Sequence, residues 1–180
     1  MARHVVLLRG INLGSRNRIS MPKLRELLEN AGFDDVKTYL QSGSVVLSSS
    51  KKADDVRRRC ERLLSTELGL DIDVVVRSRA QLAAVVKRNP LGKVAKNPKR
   101  YQVSFLASKP SAAVVKRVKD AAVEPEQVAV SGREIYAWHP EGVARSKLWA
   151  LLAGKQLGVT ATARNWTTVT KLLELAEAQG

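Results

Sequence analysis

The first 78 residues alternate apolar and polar positions in a pattern that predicts six elements of secondary structure. Residues 4–8 form an apolar run typical of a buried strand, and apolar positions after Ser20 then recur at helical spacing. A hairpin follows around the turn at 41–44, and a second amphipathic helix ends at Gly69. The valine-rich segment 71–77 completes the order β-α-β-β-α-β, which is the ferredoxin-like arrangement.

The same pattern starts again about 98 residues later in the chain. Residues 101–107 predict a strand, Ser111 begins a helix, a hairpin turns at 131–133 and a longer helix covers 143–157. A short strand and a last helix from Trp166 follow. We therefore expect an α+β fold of two tandem ferredoxin-like (βαββαβ) repeats with an extra C-terminal helix. The alternative is one continuous α+β sheet without repeats.

The length of 180 residues is enough for one domain of medium size or for two small ones. Apolar residues make up 44% of the chain, which supplies a hydrophobic core and excludes wholesale disorder. The pattern predicts a first repeat at 1–78, a helix with a basic linker loop at 79–100, and a second repeat with the C-terminal helix at 101–180.

The scarcity of cysteine and histidine limits the chemistry of the chain. A single cysteine, Cys60, excludes an internal disulfide and a cysteine-based zinc cluster, and the two histidines, His4 and His139, lie far apart in sequence. We expect no metal and no cofactor, and local spacing assembles no catalytic residues. No uncharged stretch approaches the roughly 20 residues that a membrane span needs. We therefore expect a cytoplasmic protein without a membrane partner, and its oligomeric state stays open.

Charge changes this picture, because the chain carries a net charge of +14 and distributes it unevenly. Residues 1–25 contain six basic side chains and no acidic one, and residues 74–119 contain twelve basic side chains and no acidic one. The rest of the chain is slightly acidic. Such basic zones are typical of proteins that bind a polyanion, which can be nucleic acid, an acidic membrane surface or a phosphorylated ligand.

The larger zone concentrates its charge in one loop, which we call the basic loop (residues 87–100). Two aromatic residues of a later strand share one strand face and are candidates for stacking on bases. The alternatives are a solvated loop and aromatic rings that fill the core. The candidate nucleic-acid-binding residues are Lys87, Arg88, Lys93, Lys96, Lys99, Arg100, Tyr136 and Trp138.

The smaller zone contains a loop with glycines and arginines between the first strand and the first helix, which we call the glycine–arginine loop (residues 9–18). Backbone N–H groups and guanidinium groups in such a loop can bind an anion, although the spacing fits neither a P-loop nor a Rossmann fingerprint. The alternative is a tight turn with solvated arginines. If this loop adjoins the Arg-Asn-Trp segment at 164–166, both could face one pocket. The candidate anion-binding residues are Arg9, Gly10, Asn12, Arg16, Arg18, Ser42, Arg164 and Asn165.

Four motifs, at 7–12, 38–43, 89–91 and 164–166, occur in an order that resembles the DUF1697 family, a bacterial family of unknown function. The resemblance covers almost the whole chain and implies a duplicated α/β architecture of ferredoxin-like halves. It implies no activity. The chain departs from the family pattern at Ser44, where Asn is usual, and at Gly14-Ser15, where a Gly-Gly pair is common.

Two functions of different classes are compatible with these patterns. The first is non-enzymatic binding of nucleic acid or another polyanion through the basic surfaces. The second is an enzyme or sensor for a small phosphorylated or carboxylated ligand, held by the glycine–arginine loop and the Arg-Asn-Trp turn.

Overall fold

A computed structural model describes residues 1–178 and divides the chain into two compact units. The first unit contains Met1–Ala84 together with the described residues from Lys171, and the second unit contains Val85–Thr170. The boundaries differ from those that the sequence pattern predicts, since the linker helix and the last helix are each divided between the units. Every helix within residues 1–178 is too short or too polar to cross a bilayer.

The first unit forms a four-stranded antiparallel sheet in the order β2-β3-β1-β4. Its elements are β1 (Ala2–Leu8), α1 (Met21–Asn30), β2 (Asp34–Tyr39), β3 (Ser44–Ser49), α2 (Ala53–Leu68), β4 (Val74–Ser78) and the start of α3 (Arg79–Arg88). Local chemistry sets the helix ends as the sequence predicts. The Ser20 hydroxyl caps α1 by accepting from Lys23 N at 3.3 Å, and Gly69 ends α2 at a φ of 65°.

Both faces of β1, β3 and β4 are buried, which explains the apolar runs at 5–8, 45–47 and 74–76, whereas the edge strand β2 is largely polar. One face packs against α1 and α2 through alternate residues of β1, such as Val6 and Leu8. The other face contains Val5 and Leu7, which are at most 1% exposed. The predicted strand at 71–77 begins only at Val74, because the polar residues before it are mostly exposed.

The second unit forms a second four-stranded antiparallel sheet, in the order β6-β7-β5-β8. Its elements are β5 (Tyr101–Leu106), α4 (Ala112–Ala121), β6 (Gln127–Ser131), β7 (Glu134–Trp138), α5 (Lys147–Ala153), a 3-10 turn (Lys155–Leu157), β8 (Ala161–Asn165) and α6 (Trp166–Glu177), of which α6 ends in the first unit. The strands thus form two sheets with one shared strand order, and the alternative of a single continuous sheet is wrong.

Two elements of the second half differ from their predicted bounds. The helix predicted over 143–157 is limited to Lys147–Ala153, because Ser146 caps it and a 3-10 turn follows Gly154. The strand predicted near 159–162 runs over Ala161–Asn165 instead. Arg164 therefore lies within a strand, opposite Val103, and not in a turn before the last helix.

Candidate functional site

The glycine–arginine loop is held by a backbone with four left-handed residues. Gly10, Asn12, Gly14 and Asn17 have φ values of 68°, 54°, 60° and 48°. Asn12 fixes this conformation with its side-chain amide. Its Oδ1 accepts from Ile19 N at 2.8 Å, and its Nδ2 donates to Ile19 O at 2.9 Å and to Gln41 O at 2.8 Å. Asn12 thus braces the loop against the neighbouring hairpin. Most of the donor and acceptor positions of its side-chain amide are occupied by these bonds within the fold.

Other candidates of the anion site also bind within the fold. Asn17 Nδ2 donates to Gly10 O at 3.1 Å, and the Arg18 guanidinium donates to Gly14 O at 2.8 Å. Ser42 Oγ lies 3.3 Å from Ser44 Oγ. Arg16 is exposed, and Arg9 is half-buried.

The hairpin turn beside this loop leaves no room for a larger residue at Gly43. A Cβ there would lie 2.6 Å from Ile11 Cδ1 and 2.9 Å from Leu8 Cβ, and the φ of 77° favours glycine. Ser44 comes next and is a buried residue of β3 with an ordinary extended backbone. The replacement of the family's usual Asn by Ser44 therefore affects no left-handed turn position.

The Arg-Asn-Trp segment provides a helix cap and a buried cation. Asn165 Oδ1 accepts from Thr168 N at 2.9 Å and so caps α6. Arg164 is 7% exposed and donates to Thr162 Oγ1 at 2.7 Å and to Ala163 O at 2.8 Å. Burial lowers the pKa of Arg164 to about 10, which still leaves it a cation at neutral pH. The candidates of the glycine–arginine loop lie in the first unit, whereas Arg164 and Asn165 lie in the second.

Arg77 is the counterpart of Arg164 in the first sheet, although the sequence pattern does not single it out. Each arginine is the fourth residue of a five-residue strand, and each lies opposite a valine of the central strand, Val5 or Val103. Arg77 is 2% exposed and donates to the carbonyl before it, Val76 O, at 3.2 Å. One local pattern marks both arginines in the sequence: each is followed by Ser or Asn, and a helix starts directly afterwards. In the sequence, Arg77 is simply the last residue of the strand predicted at 71–77.

The basic loop is ordered by a tyrosine hydroxyl at its end. Tyr101 Oη donates to Asn89 Oδ1 at 2.9 Å and accepts from Leu91 N at 3.4 Å. Gly92 N then donates to Asn89 O at 3.2 Å, and Pro98 O accepts from Trp166 N at 3.1 Å. Burial raises the pKa of Tyr101 to about 12, so the hydroxyl remains a donor over the physiological pH range.

The cations of the basic loop point to solvent on this ordered frame. All six predicted side chains are exposed, and Arg88 alone lies near a carboxylate, with 3.7 Å between its Nη1 and Glu134 Oε1. Within residues 1–178 the other five have no carboxylate partner. These five are Lys87, Lys93, Lys96, Lys99 and Arg100.

The two aromatic candidates differ in accessibility. Tyr136 is fully buried, and its hydroxyl donates to Val85 O at 2.9 Å. A base cannot reach its ring, so the prediction that Tyr136 stacks on nucleic acid is wrong. Trp138 is half-buried. Trp166, the first residue of α6, stacks on Tyr101 with 4.9 Å between ring centroids and 26° between ring planes.

A partly buried Glu-His-Ser cluster in the second unit has the residue types of a catalytic triad but a different geometry. Glu126 Oε2 lies 2.6 Å from both His139 Nδ1 and Ser146 Oγ. A triad needs the hydroxyl on the second ring nitrogen, whereas here both groups bind one carboxylate oxygen and the histidine is fully buried. The cluster instead holds the cap of α5, where Ser146 Oγ accepts from Trp149 N at 3.0 Å.

Cysteine and metal chemistry add no site in the described part of the chain. Cys60 is buried in the first core, and burial raises the pKa of its thiol to about 12, which makes it unreactive. Across residues 1–178, no three His, Cys, Asp or Glu side chains form a group that could hold a metal ion.

These features define an α+β protein with two four-stranded antiparallel sheets and, in its described residues, six α-helices. The model of the DUF1697 family, described as a protein of unknown function, matches residues 1–136. The chain therefore belongs to the DUF1697 family, as its motifs predict.

Comparison with solved structures finds the same fold in a conserved bacterial protein from Streptococcus pneumoniae. The two chains superpose with a TM-score of 0.77 over 98% of this chain and 99% of the other, at 20% sequence identity. At this identity the likeness concerns the fold alone. No curated protein matches the sequence.

Proposed function

We propose that this protein binds nucleic acid or a similar polyanion through the basic loop and catalyses no reaction on it. The observation that carries the proposal is the set of five exposed cations of the basic loop that have no carboxylate partner within residues 1–178, on a segment that the Tyr101–Asn89 hydrogen bond helps to order. A flexible loop would lose conformational entropy on binding, and this frame reduces that loss. Contact with phosphates requires only cations spaced along the surface.

The contacts of the glycine–arginine loop argue against a small-ligand site as the principal function. The Asn12 amide and the Arg18 guanidinium already bind within the first unit, and Ser42 lies beside Ser44. An anion would have to displace these contacts or bind to Arg16 with little help. Loss of an internal hydrogen bond would weaken such a site by about 1 kcal/mol for each contact displaced.

We also propose that the two sheets come from tandem ferredoxin-like repeats. The support is the shared strand order and the matching register of Arg77 and Arg164 against Val5 and Val103. Each arginine is followed by a helix cap, since Ser78 Oγ accepts from Gln81 N at 3.1 Å and Asn165 performs the same role in α6. Under this proposal the two loops rich in cations are additions to a repeated scaffold.

Oligonucleotide binding at several salt concentrations tests the proposed function. The variant carries Lys93→Gln, Lys96→Gln and Lys99→Gln, and a matched control replaces three other exposed lysines of the second unit, Lys109, Lys147 and Lys155. We expect the wild type to bind with a steep log–log salt dependence. The loop variant should bind at least about tenfold more weakly near 0.1 M salt, with a slope smaller by about 2–3.

The control variant should keep most of the affinity, because it removes the same charge from elsewhere on the unit. Absence of binding at low salt, or a flat salt dependence, contradicts polyanion binding. An equal loss of affinity in both variants would show that net charge, and not the basic loop, is responsible.

A further inference from the structure

Three aromatic residues form a row at the end of the second sheet from which the basic loop emerges. Trp138 ends β7, Tyr101 begins β5, and Trp166 follows directly after β8. These three strands are neighbours in the sheet. We call Trp138, Tyr101 and Trp166 the aromatic row.

The strand register places the members of this row across from one another. Trp138 is the direct cross-strand partner of Tyr101. On the other side, Asn165 pairs with Gln102, so that Trp166 comes level with Tyr101 and stacks on its ring. Since neighbouring strands lie about 4.8 Å apart, the row extends over roughly 10 Å of the sheet end.

Backbone contacts bring the cations of the basic loop to this row. Pro98 O accepts from the N–H of Trp166 at 3.1 Å, and Arg100 O accepts from the N–H of His139, next to Trp138, at 3.0 Å. The Arg100 guanidinium donates to Pro140 O. Lys99 and Arg100 are both exposed, and they belong to the stretch of chain that makes these two backbone contacts.

The row combines a rigid support with accessible rings. Tyr101 is 1% exposed and fixed by Asn89, so it forms the base on which Trp166 rests. Trp138 and Trp166 are both half-buried, so neither residue is closed off from solvent as Tyr101 is. A surface that only tracks phosphates has no need of aromatic rings, whereas proteins that bind single strands combine a cationic groove with rings on which bases stack.

We propose that the ligand of the basic loop is single-stranded nucleic acid, with its bases stacked on the aromatic row and its phosphates along the loop cations. This inference rests on the proposed function and narrows it. A duplex keeps its bases paired and stacked on one another, so it can use the loop cations but not the tryptophans.

Tryptophan fluorescence tests the inference in the full chain. Trp149→Phe removes the third tryptophan, which packs edge-on against His139 and lies outside the row. The remaining emission then comes from Trp138 and Trp166. We expect an oligothymidylate to quench this emission, and a duplex of equal length to bind at least about tenfold more weakly at the same salt concentration, without quenching.

Replacement of the row provides a second measurement. Trp138→Leu and Trp166→Leu keep an apolar side chain but remove the ring, and circular dichroism checks that the variants fold. Each should weaken binding of the single strand by about fivefold or more while leaving the salt dependence and duplex binding unchanged. Trp149→Phe alone should bind as the wild type does.

The outcomes separate this inference from the proposed function on which it rests. Equal affinity for single strand and duplex, with no quenching, overturns the stacking row and leaves polyanion binding in place. If neither nucleic acid binds at low salt, both proposals are wrong. Quenching in the Trp149→Phe protein supports the row even where a leucine variant fails to fold.

Discussion

The two sheets share one strand order, but the two halves of the chain place their loops differently. In the first half, the connection from β1 to α1 is the long one and contains the glycine–arginine loop. In the second half, the corresponding connection from β5 to α4 is short, and the long segment instead precedes β5 as the basic loop. The candidate functional segments therefore lie where the two halves do not match.

The two loops also use their polar groups in opposite ways. The side chains of Asn12 and Arg18 bind backbone carbonyls of the first unit. Lys93, Lys96 and Lys99 turn outward from a frame that needs none of them. A loop rich in basic and polar residues can therefore either brace the fold or form a binding surface. The two cases differ in whether its side chains already make hydrogen bonds within the fold.

The largest loss of stability is expected from Asn12→Ala, which removes the side-chain amide that braces the glycine–arginine loop. The substitution removes three hydrogen bonds and puts alanine at a φ of 54°. At about 1 kcal/mol for each bond, the free energy of unfolding should fall by about 3 kcal/mol, which urea unfolding measures.

Asn17→Ala is the matched control for this comparison. Asn17 is also left-handed, at a φ of 48°, but its side chain makes only one hydrogen bond in the described structure, to Gly10 O. It should lose about 1 kcal/mol. Equal losses in the two variants would mean that the backbone conformation, and not the Asn12 amide, stabilises the loop.

The features that sequence predicts well in this chain are those set by near neighbours. Ser20 and Gly69 act at helix ends as expected, because a cap depends on residues three or four positions away. The hairpins and the order of elements follow from apolar periodicity for the same reason. The division between units falls elsewhere than predicted, since it depends on contacts between residues distant in sequence.

The candidate site was predictable only in part, and for a related reason. The exposed cations of the basic loop follow from their own chemistry, because isolated lysines are rarely buried. Tyr136 was placed on the correct strand, but its burial depends on Val85, which is far away in the chain. Trp166 required the register between β5 and β8 to bring it onto Tyr101.

A smaller effect is expected in the second half, from Tyr101→Phe. This change removes the hydroxyl that joins Asn89 Oδ1 and Leu91 N, while it keeps the ring under Trp166. The protein should lose about 1–2 kcal/mol of stability, and amides at 89–95 should exchange faster with solvent in hydrogen-exchange measurements. Unchanged exchange in the basic loop would contradict the role of Tyr101 in ordering it.

The smallest effect is expected on the pH dependence of the free energy of unfolding. It depends on His4, whose counterpart in the second sheet is Gln102. His4 pairs with Ser78 just as Gln102 pairs with Asn165. His4 is 3% exposed, and burial lowers its pKa from 6.5, opposed only in part by the backbone of Lys51 and Ser49. The unfolded chain therefore binds the additional proton as the pH falls below 6.5, and the free energy of unfolding decreases there.

Because one proton is involved, this loss is at most about 1.4 kcal/mol for each pH unit, and it vanishes above 6.5, where His4 is neutral in both states. His4→Gln gives the first sheet the glutamine that the second sheet has at Gln102, and it removes the group that titrates. Urea unfolding of both proteins between pH 7.5 and 5, roughly the range in which histidine titrates, should show the wild type losing stability relative to the variant as the pH falls. A constant difference between them would show that His4 keeps an ordinary pKa in the fold, and that the two sheets do not differ in their response to acid at this position.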